Sequence, residues 1–507
     1  MKRWYMIVAA IAIVILVWFL MGLRIDPERR HPERGTIDEI DENLNMIPEI
    51  NDYVYITVNK DKPLFYTNFT FGVTHTHNHW YNGHPDAVQR AVDILNEVSS
   101  MDNHHIMGWG PLNPWQNPNE EMNFDSIRWR DNILERLSGN TWLTLCTAPG
   151  WMKCQNPEHI EFPADCCIAA DWEMNQSPIP EHYNAFAELA KALVYEFEIS
   201  TVQVWNELKG FWHDDTKYPN RPWSWWDYEE YTIFYNIVYD AIRSTTRDIN
   251  IGGFYLILEG DGTYEAFGDR GSHSYTTMQI SDIWPQPERQ IQAVKYFLEH
   301  ANGMDYFLID RGLVNYHRNS DPTSEQLFQL TSNFSISMQE VLSLLKDSDF
   351  AHVPIVWSEF YGDSEILRDN ALKNRKEETD EEIWDYIRRQ VGALYASIYY
   401  HMIIGAKGHD TNALLWLEFE QNIPHVLFTN TDTATGGQPT PHFFALRDLL
   451  KYFPKGTMLY EVEVSSPILE VLASDSNIFI INKSTEYVNI IINGSTYKIE
   501  PYEVRVI

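Results

Sequence analysis

Two short segments of the chain close in the same way: VQVWNE at 202–207 and VPIVWSE at 353–359. In each, a β-branched apolar run ends in a tryptophan, a small polar residue and a glutamate. Burying a carboxylate is costly unless it is paired or held neutral, so Glu207 and Glu359 need a reason to stand there. Glycoside hydrolysis supplies one: a carboxylic acid protonates the leaving oxygen while a second carboxylate attacks the anomeric carbon. The plain alternative for Glu207 is that it caps its strand or pairs with Lys209.

Other candidate residues stand at comparable places. Asp310 ends another apolar run, with Tyr316 and His317 soon after it, so one of them is expected to hydrogen-bond Glu359 or the substrate; a loop salt bridge from Asp310 to Arg311 or Arg318 is the competing reading. Glu418 and Glu420 are further rim carboxylates and rivals for the attacking role. Trp109, Trp151, Trp212, Trp357 and Trp416 lie at or just past run ends, where indoles stack on the C–H faces of sugar rings; Trp416 and Trp151 are the preferred platforms. The Trp-rich loop 209–228 follows Glu207 and would shape the leaving-group side.

The cluster HTHNH (His75, His77, His79) opens a different chemistry, because an HxH on a first barrel strand can hold a metal for amide hydrolysis. That chemistry also needs histidines on the fifth and sixth strands. INIGGFYLIL (249–258) has none and the sixth run ends in Asp310, so His75 is read as a contact to a sugar hydroxyl and no metal ligand is assigned.

These residues need a scaffold that gathers strand ends. Eight apolar runs recur at 68–75, 104–110, 142–151, 201–207, 249–258, 303–310, 353–360 and 413–419. Helical periods lie between them at 84–100, 126–139, 228–244, 287–302 and 323–347. The alternation predicts an α/β fold, a (β/α)8 TIM barrel with its chemistry at the C-terminal strand ends. No glycine-rich phosphate loop follows any strand, which disfavours an open doubly wound sheet. After 453 the pattern becomes period-two strands with turns at 475–477 and 493–495, predicting a small C-terminal antiparallel β-sandwich domain. YVYITVNKDKPLF (53–65), with a turn at 59–62, is expected to join it.

The W-N-E at the fourth strand, the glutamate after I-V-W-S at the seventh, FGVTH on the first and the trailing β domain together resemble the clan A glycoside hydrolases. The chain is most similar to glycoside hydrolase family 39, the β-xylosidase and α-L-iduronidase type, over about residues 53–507. The resemblance implies a glycosidase with Glu207 as acid/base, Glu359 as nucleophile and Asn206 holding the sugar 2-hydroxyl. Leu208 stands where the family more often has proline. On that assignment an apolar, Trp-lined strand end would keep Glu207 neutral, and hydrogen bonds or a nearby cation would keep Glu359 ionised. The strand ends show no clear arginine or lysine for an acidic sugar, which favours a neutral, xyloside-like substrate. A catalytically silent carbohydrate-binding barrel is the third reading, since fold alone does not prove activity.

The chain has 507 residues and a formal net charge of −34, which disfavours nucleic acid and anionic membrane surfaces as partners. No nicotinamide, flavin or metal cofactor is implied. Residues 4–23 form an uncharged apolar run long enough to span a bilayer as a helix. It is read as a signal-anchor or transmembrane segment over 1–24, with a polar tether at 25–52, the barrel at 53–453 and the β domain at 454–507. Arg24, Arg29, Arg30 and Arg34 argue for an inside domain by the positive-inside count, yet large domains translocate largely regardless of charge. The catalytic domain is therefore placed outside, membrane-anchored, or secreted if the segment is cleaved. Cys146, Cys154, Cys166 and Cys167 fall in one segment, where a local disulfide is expected and three full pairings are possible. Sequons begin at Asn68, Asn175, Asn333, Asn482 and Asn493.

Overall fold

The computed structural model describes residues 53–75, 83–105, 113–125, 127, 138–153, 176–197, 199–211, 227–245, 248–258, 288–314, 322–376, 378–417 and 427–507, with the side chains of 75, 105, 288 and 289 excepted. The apolar run 4–23, Cys154, Cys166 and Cys167 lie outside the described residues. Among the described residues no helix is long and apolar enough to cross a membrane.

Strand β1 (Val54–Tyr66) comes first, followed by eight parallel strands that close a barrel: β2 (Phe69–His75), β3 (Met101–His105), β4 (Asn140–Leu145), β5 (Thr201–Val204), β6 (Asn250–Ile257), β7 (Tyr306–Gly312), β8 (Ile355–Tyr361) and β9 (Thr411–Trp416). β9 closes the ring on β2 in the register Phe69 to Thr411 through Thr74 to Trp416. Strands such as β5 and β9 are buried at every position, as a parallel sheet covered on one side and filled on the other requires.

The barrel interior is layered. Met101, Trp142, Tyr255, Leu308, Val356 and Leu414, one from each of six strands, form an apolar layer separate from the larger core under the helices. Two residues further along their strands, polar side chains take over: Thr144 Oγ1 donates to Asn103 Oδ1, Asn103 Nδ2 to Thr74 Oγ1, and Thr74 Oγ1 to the Ser358 carbonyl, each at 3.1 Å. This hydrogen-bonded floor is polar because it lies directly under the mouth.

The helices are α1 (Pro85–Val98), α2 (Tyr183–Glu196), α3 (Tyr228–Arg243), α4 (Glu288–His300), α5 (Ser324–Leu330), α6 (Ser332–Leu345), α7 (Ser364–Asn374), α8 (Asp380–Ala406) and α9 (Pro441–Tyr452). The single period expected over 323–347 is two helices parted at Thr331. Capping boxes start α5 (Thr323 with Gln326) and α8 (Thr379 with Glu382).

One strand differs from its expected place. The second barrel strand is described over MDNHH and so starts at Met101, ahead of the expected HHIMGWG, of which 106–110 lie outside the described residues. Its polar residues are tolerated inside because Asp102 accepts from Ser99 Oγ and the Gly139 N–H at 3.1 and 2.9 Å, while Asn103 joins the floor.

After α9 come β10 (Met458–Val464), β11 (Leu469–Ala473), β12 (Ile478–Asn482), β13 (Val488–Ile492), β14 (Ser495–Ile499) and β15 (Val504–Val506). They form a four-stranded sheet, β10-β1-β13-β14, facing a three-stranded one, β11-β12-β15. A shared core of Val54, Ile56, Leu469, Val471, Ile480, Val488, Ile490, Ile492 and Ile499 lies between them. β1 crosses Asn59–Pro63 as an irregularity in its pairing with β10, where a turn was expected. It also runs parallel to β13, so the domain is mixed and not purely antiparallel. Asn493 and Gly494, at φ 50° and 82°, make the two-residue turn that joins β13 to β14. Of the sequon asparagines, Asn333 and Asn482 are buried, at 1% and 0% exposure, and closed to a glycan.

Candidate active site

β5 stops at Val204, and the next residues turn sharply. Trp205, Glu207 and Leu208 all have left-handed backbone, at φ 69°, 52° and 54°, a conformation uncommon for non-glycine residues that clusters at functional sites. Two features hold the turn. The Trp205 indole is fully buried against Phe186, Phe211 and Phe234, with ring centroids 5.7, 6.0 and 5.7 Å away, and its Nε1 donates to the Lys209 carbonyl at 2.6 Å. Gly210 then passes at φ 85° so close to Ser177 that a Cβ would sit 2.1 Å from its backbone nitrogen. The outcome is Glu207 at the mouth, 8% exposed.

Glu359 reaches the same mouth by another device. Along β8, Val356 faces in and Trp357 faces out against Phe334, so strict alternation would send Ser358 in and Glu359 out. The pairing of β7 with β8 slips by one residue at this point: Ile309 faces Trp357 but Asp310 faces Glu359. This β-bulge turns Glu359 inward. A second slip, between Gly253 and Leu256 in the pairing of β6 with β7, leaves Phe254 in the outer core and swings Tyr255 into the barrel. Tyr255 Oη then donates to Glu359 Oε1 at 2.5 Å.

Glu207, Asp310 and Glu359 are all buried, and one carboxyl oxygen from each lies within 4.8 Å of the others. Lys209 Nζ forms an ion pair with Glu207 Oε2. Burial, and then the Glu207 charge, push Glu359 well above the usual carboxylate range, against Lys209 and the Tyr255 hydroxyl. Burial and contact with Glu207 push Asp310 up as well. Burial opposes the charge on Lys209, but Glu207 and Glu359 more than offset it and hold the ammonium protonated. Cys146 is a buried free thiol, pushed up to about 12 by burial although Lys209 and Lys153 oppose the shift, so it stays protonated.

Among the described residues these three carboxyls are the acidic group spaced to share a cation. Lys209 already brings a positive charge to one of their oxygens, so the chain itself supplies that charge.

Several expectations are corrected here. The surroundings of Glu207 are not merely apolar, since the Lys209 ammonium pairs with its carboxyl. A cation, Lys209, does stand just past a strand end, but it is paired with Glu207 and so does not speak for an acidic sugar. Arg311 does not pair with Asp310; it turns into the helix layer, where Nη1 donates to the Leu258 carbonyl and Ser337 Oγ at 3.2 and 3.1 Å. Trp357 is core. Trp151, 7% exposed, is packed edge-on against Trp115 and His182, with Nε1 donating to the Trp115 carbonyl, so it offers no open stacking face. Trp416 is 4% exposed and follows Leu414 on the inward side of β9; Asn206 is buried beside Glu207. His75 lies on β2, its side chain outside the described residues, as are Trp109, Trp212, Tyr316, His317, Glu418 and Glu420. Tyr255 was not anticipated, because INIGGFYLIL reads as plain core; only its paired glycines hint at an irregular strand.

No family profile and no curated protein matches the sequence. Solved structures do resemble it. A conserved exported protein from Bacteroides fragilis is 11% identical, with 89% of this chain and 99% of that one covered and a TM-score of 0.52, and the two share a fold. A GH39 beta-xylosidase from Caulobacter crescentus (11% identity, 86% and 83% covered, TM-score 0.47) and the catalytic domain of GH30 xylanase C from Talaromyces cellulolyticus (11%, 86% and 88%, 0.44) are also similar.

Proposed function

We propose that this protein is a retaining glycoside hydrolase that cleaves O-glycosidic bonds in oligo- or polysaccharide of plant or cell-surface type, with a xyloside-like, neutral sugar as substrate. The observation that carries this reading is that one carboxyl oxygen of Glu207 and one of Glu359 lie within 4.8 Å of each other, at the ends of the fourth and seventh barrel strands. Retaining enzymes hold their two carboxyls about 5–5.5 Å apart, whereas inverting enzymes need roughly 6.5–9.5 Å to admit a water. Glu359 attacks the anomeric carbon while Glu207 delivers a proton to the leaving oxygen; water then releases the sugar, and Asn206 holds its 2-hydroxyl. The Tyr255 hydroxyl and Lys209 lower the cost of an ionised Glu359. The apolar run 4–23 is the ground for placing the domain outside the cytoplasm, anchored to or released from a membrane.

The test is a panel of nitrophenyl glycosides with and without chelator. Turnover indifferent to chelator, with retained anomeric configuration by NMR, is the expected result; loss of turnover with chelator would turn the carboxyl trio into a metal site. Glu359→Gly should abolish turnover and regain it with azide, giving product of inverted configuration. Glu207→Ala with azide should give retained configuration. Reversed stereochemistry would exchange the two roles.

A further inference from the structure

The three carboxyls do not have equal claims on a proton. Glu359 accepts a hydrogen bond from Tyr255 and lies in the field of Lys209. Glu207 is bound by the Lys209 ammonium. Asp310 is 1% exposed, and among the described residues neither of its oxygens has a conventional donor. A buried carboxylate with no donor is the most costly of the three to keep charged. The groups that face it are Glu207 and Lys209 from the turn after β5, Glu359 from β8 and Tyr255 from β6, with Cys146 after β4 facing the two glutamates in turn. Two carboxyl groups in contact can hydrogen-bond only if one holds a proton, and Glu207, tied to Lys209, is the natural acceptor.

We propose that Asp310 is a positioning residue that stores the acid proton of this site and passes it through Glu207 to the leaving oxygen. The inference rests on the glycosidase reading above. At rest the order is Asp310–COOH, Glu207 carboxylate, Lys209 ammonium. As the glycosidic C–O bond breaks and Glu359 forms its bond to the anomeric carbon, Glu207 takes the proton from Asp310 and passes it to the departing oxygen, leaving both as carboxylates. In the second step Glu207 takes a proton from water and returns it to Asp310. The water oxygen bonds the anomeric carbon, and Glu359 leaves as a carboxylate. One proton enters from water and one leaves on the alcohol, so the cycle balances.

Two measurements test this. Infrared difference spectra of the wild type should show a protonated carboxyl stretch at neutral pH that titrates away at lower pH in Asp310→Asn; a band that persists to the same pH in that variant, or is absent from the wild type, overturns the proposal. In the pH profile of kcat/KM, Asp310→Asn should move the alkaline limb to lower pH, because the proton then rests on Glu207 beside a cation. It should slow alkyl glycosides about 100-fold or more, the scale of general-acid catalysis, and dinitrophenyl glycosides far less. An unmoved limb, or equal losses on both substrates, refutes it. Should Asp310→Asn not fold, Lys209→Met keeps the question open to decision: with Asp310 intact, the carboxyl band must persist to higher pH than in the wild type, and an unshifted band overturns the proposal. A wild type that cleaves no glycoside sinks the glycosidase reading alone, since the infrared titration still locates the proton.

Discussion

Removing one oxygen atom from the site, by Tyr255→Phe, gives a change whose size can be worked out in advance. The ring is fully buried in the inner apolar layer with Met101, Trp142, Leu308, Val356 and Leu414, and phenylalanine keeps that packing. Only the hydroxyl is lost, and with it the 2.5 Å hydrogen bond to Glu359 Oε1. Burial, and then the Glu359 charge, hold the phenol far above its usual pKa, so it is a donor at every working pH. A hydrogen bond to a charged group contributes about 1.5–3 kcal/mol, and about 1.4 kcal/mol corresponds to one pH unit. The bond favours ionised Glu359, so its loss raises a pKa that burial has already lifted. The acid limb of the kcat/KM profile, which reports ionisation of the nucleophile in free enzyme, should therefore move up by roughly 1–2 pH units. Below the limb the rate should fall about 10- to 100-fold, and above it hardly at all. The assay is the pH profile on the aryl glycoside cleaved fastest by the wild type. A limb that stays in place would refute the link between Tyr255 and Glu359 ionisation, and an equal loss at every pH would assign Tyr255 to substrate contact.

Glu359→Gln should stabilise the fold in a pH-dependent way. Because the folded-state pKa of Glu359 is raised, the stability it contributes is complete below its unfolded pKa of about 4.3 and is lost as pH rises through the folded value, at about 1.4 kcal/mol per pH unit of elevation; glutamine has no such loss. Thermal melts should show the variant equal to wild type near pH 4 and higher-melting near pH 8, and a constant difference would contradict the assignment. On β11, Glu470 is 7% exposed and accepts from His401 of α8 and Lys483 at 3.0 and 2.7 Å. Burial works against its charge, but these partners hold its pKa below the ordinary value, so its contribution is present at neutral pH and lost as pH falls through that lowered value. Glu470→Ala should cost about 3–5 kcal/mol in urea unfolding at pH 7, the cost of stranding buried partners, and much less in strong acid; a neutral outcome would show that α8 and β11 do not depend on this contact.

The parts legible in the sequence are those where local chemistry and final environment agree. VQVWNE and VPIVWSE read as strands closing in carboxylates because their β-branched alternation is real, and the eight-fold strand count follows from similar runs. MDNHH was hidden because Asp102 and Asn103, polar residues of β3, are satisfied in large part by Gly139, Thr74 and Thr144, which are distant in sequence. α8 carried no readable period: every residue from Gln390 to Tyr399 is buried, so the helix has no polar face for its central turns to reveal. Within the site, the carboxylate at 207 was legible, but the partnership of Lys209 with it depends on a left-handed turn that no side-chain pattern announces. Tyr255 and the inward aim of Glu359 both depend on bulges, which shift the side-chain phase without leaving a compositional trace at Ser358.

Those two slips make the site discontinuous in a mechanical sense. A side chain on a regular strand can be adjusted by small changes of its neighbours, but one carried by a phase shift has only two addresses, lumen or helix layer. Deleting Ser358 would remove the extra residue and let Glu359 follow Trp357 in regular alternation, facing the lumen without a bulge; smoothing the bulge with Ser358 kept would turn Glu359 to the helices and leave the mouth short of a carboxylate. A strand of this kind passes between competent and incompetent sites by gaining or losing the slip, with no intermediate geometry. Two such barrels could share nearly all their coordinates and differ in whether any chemistry takes place.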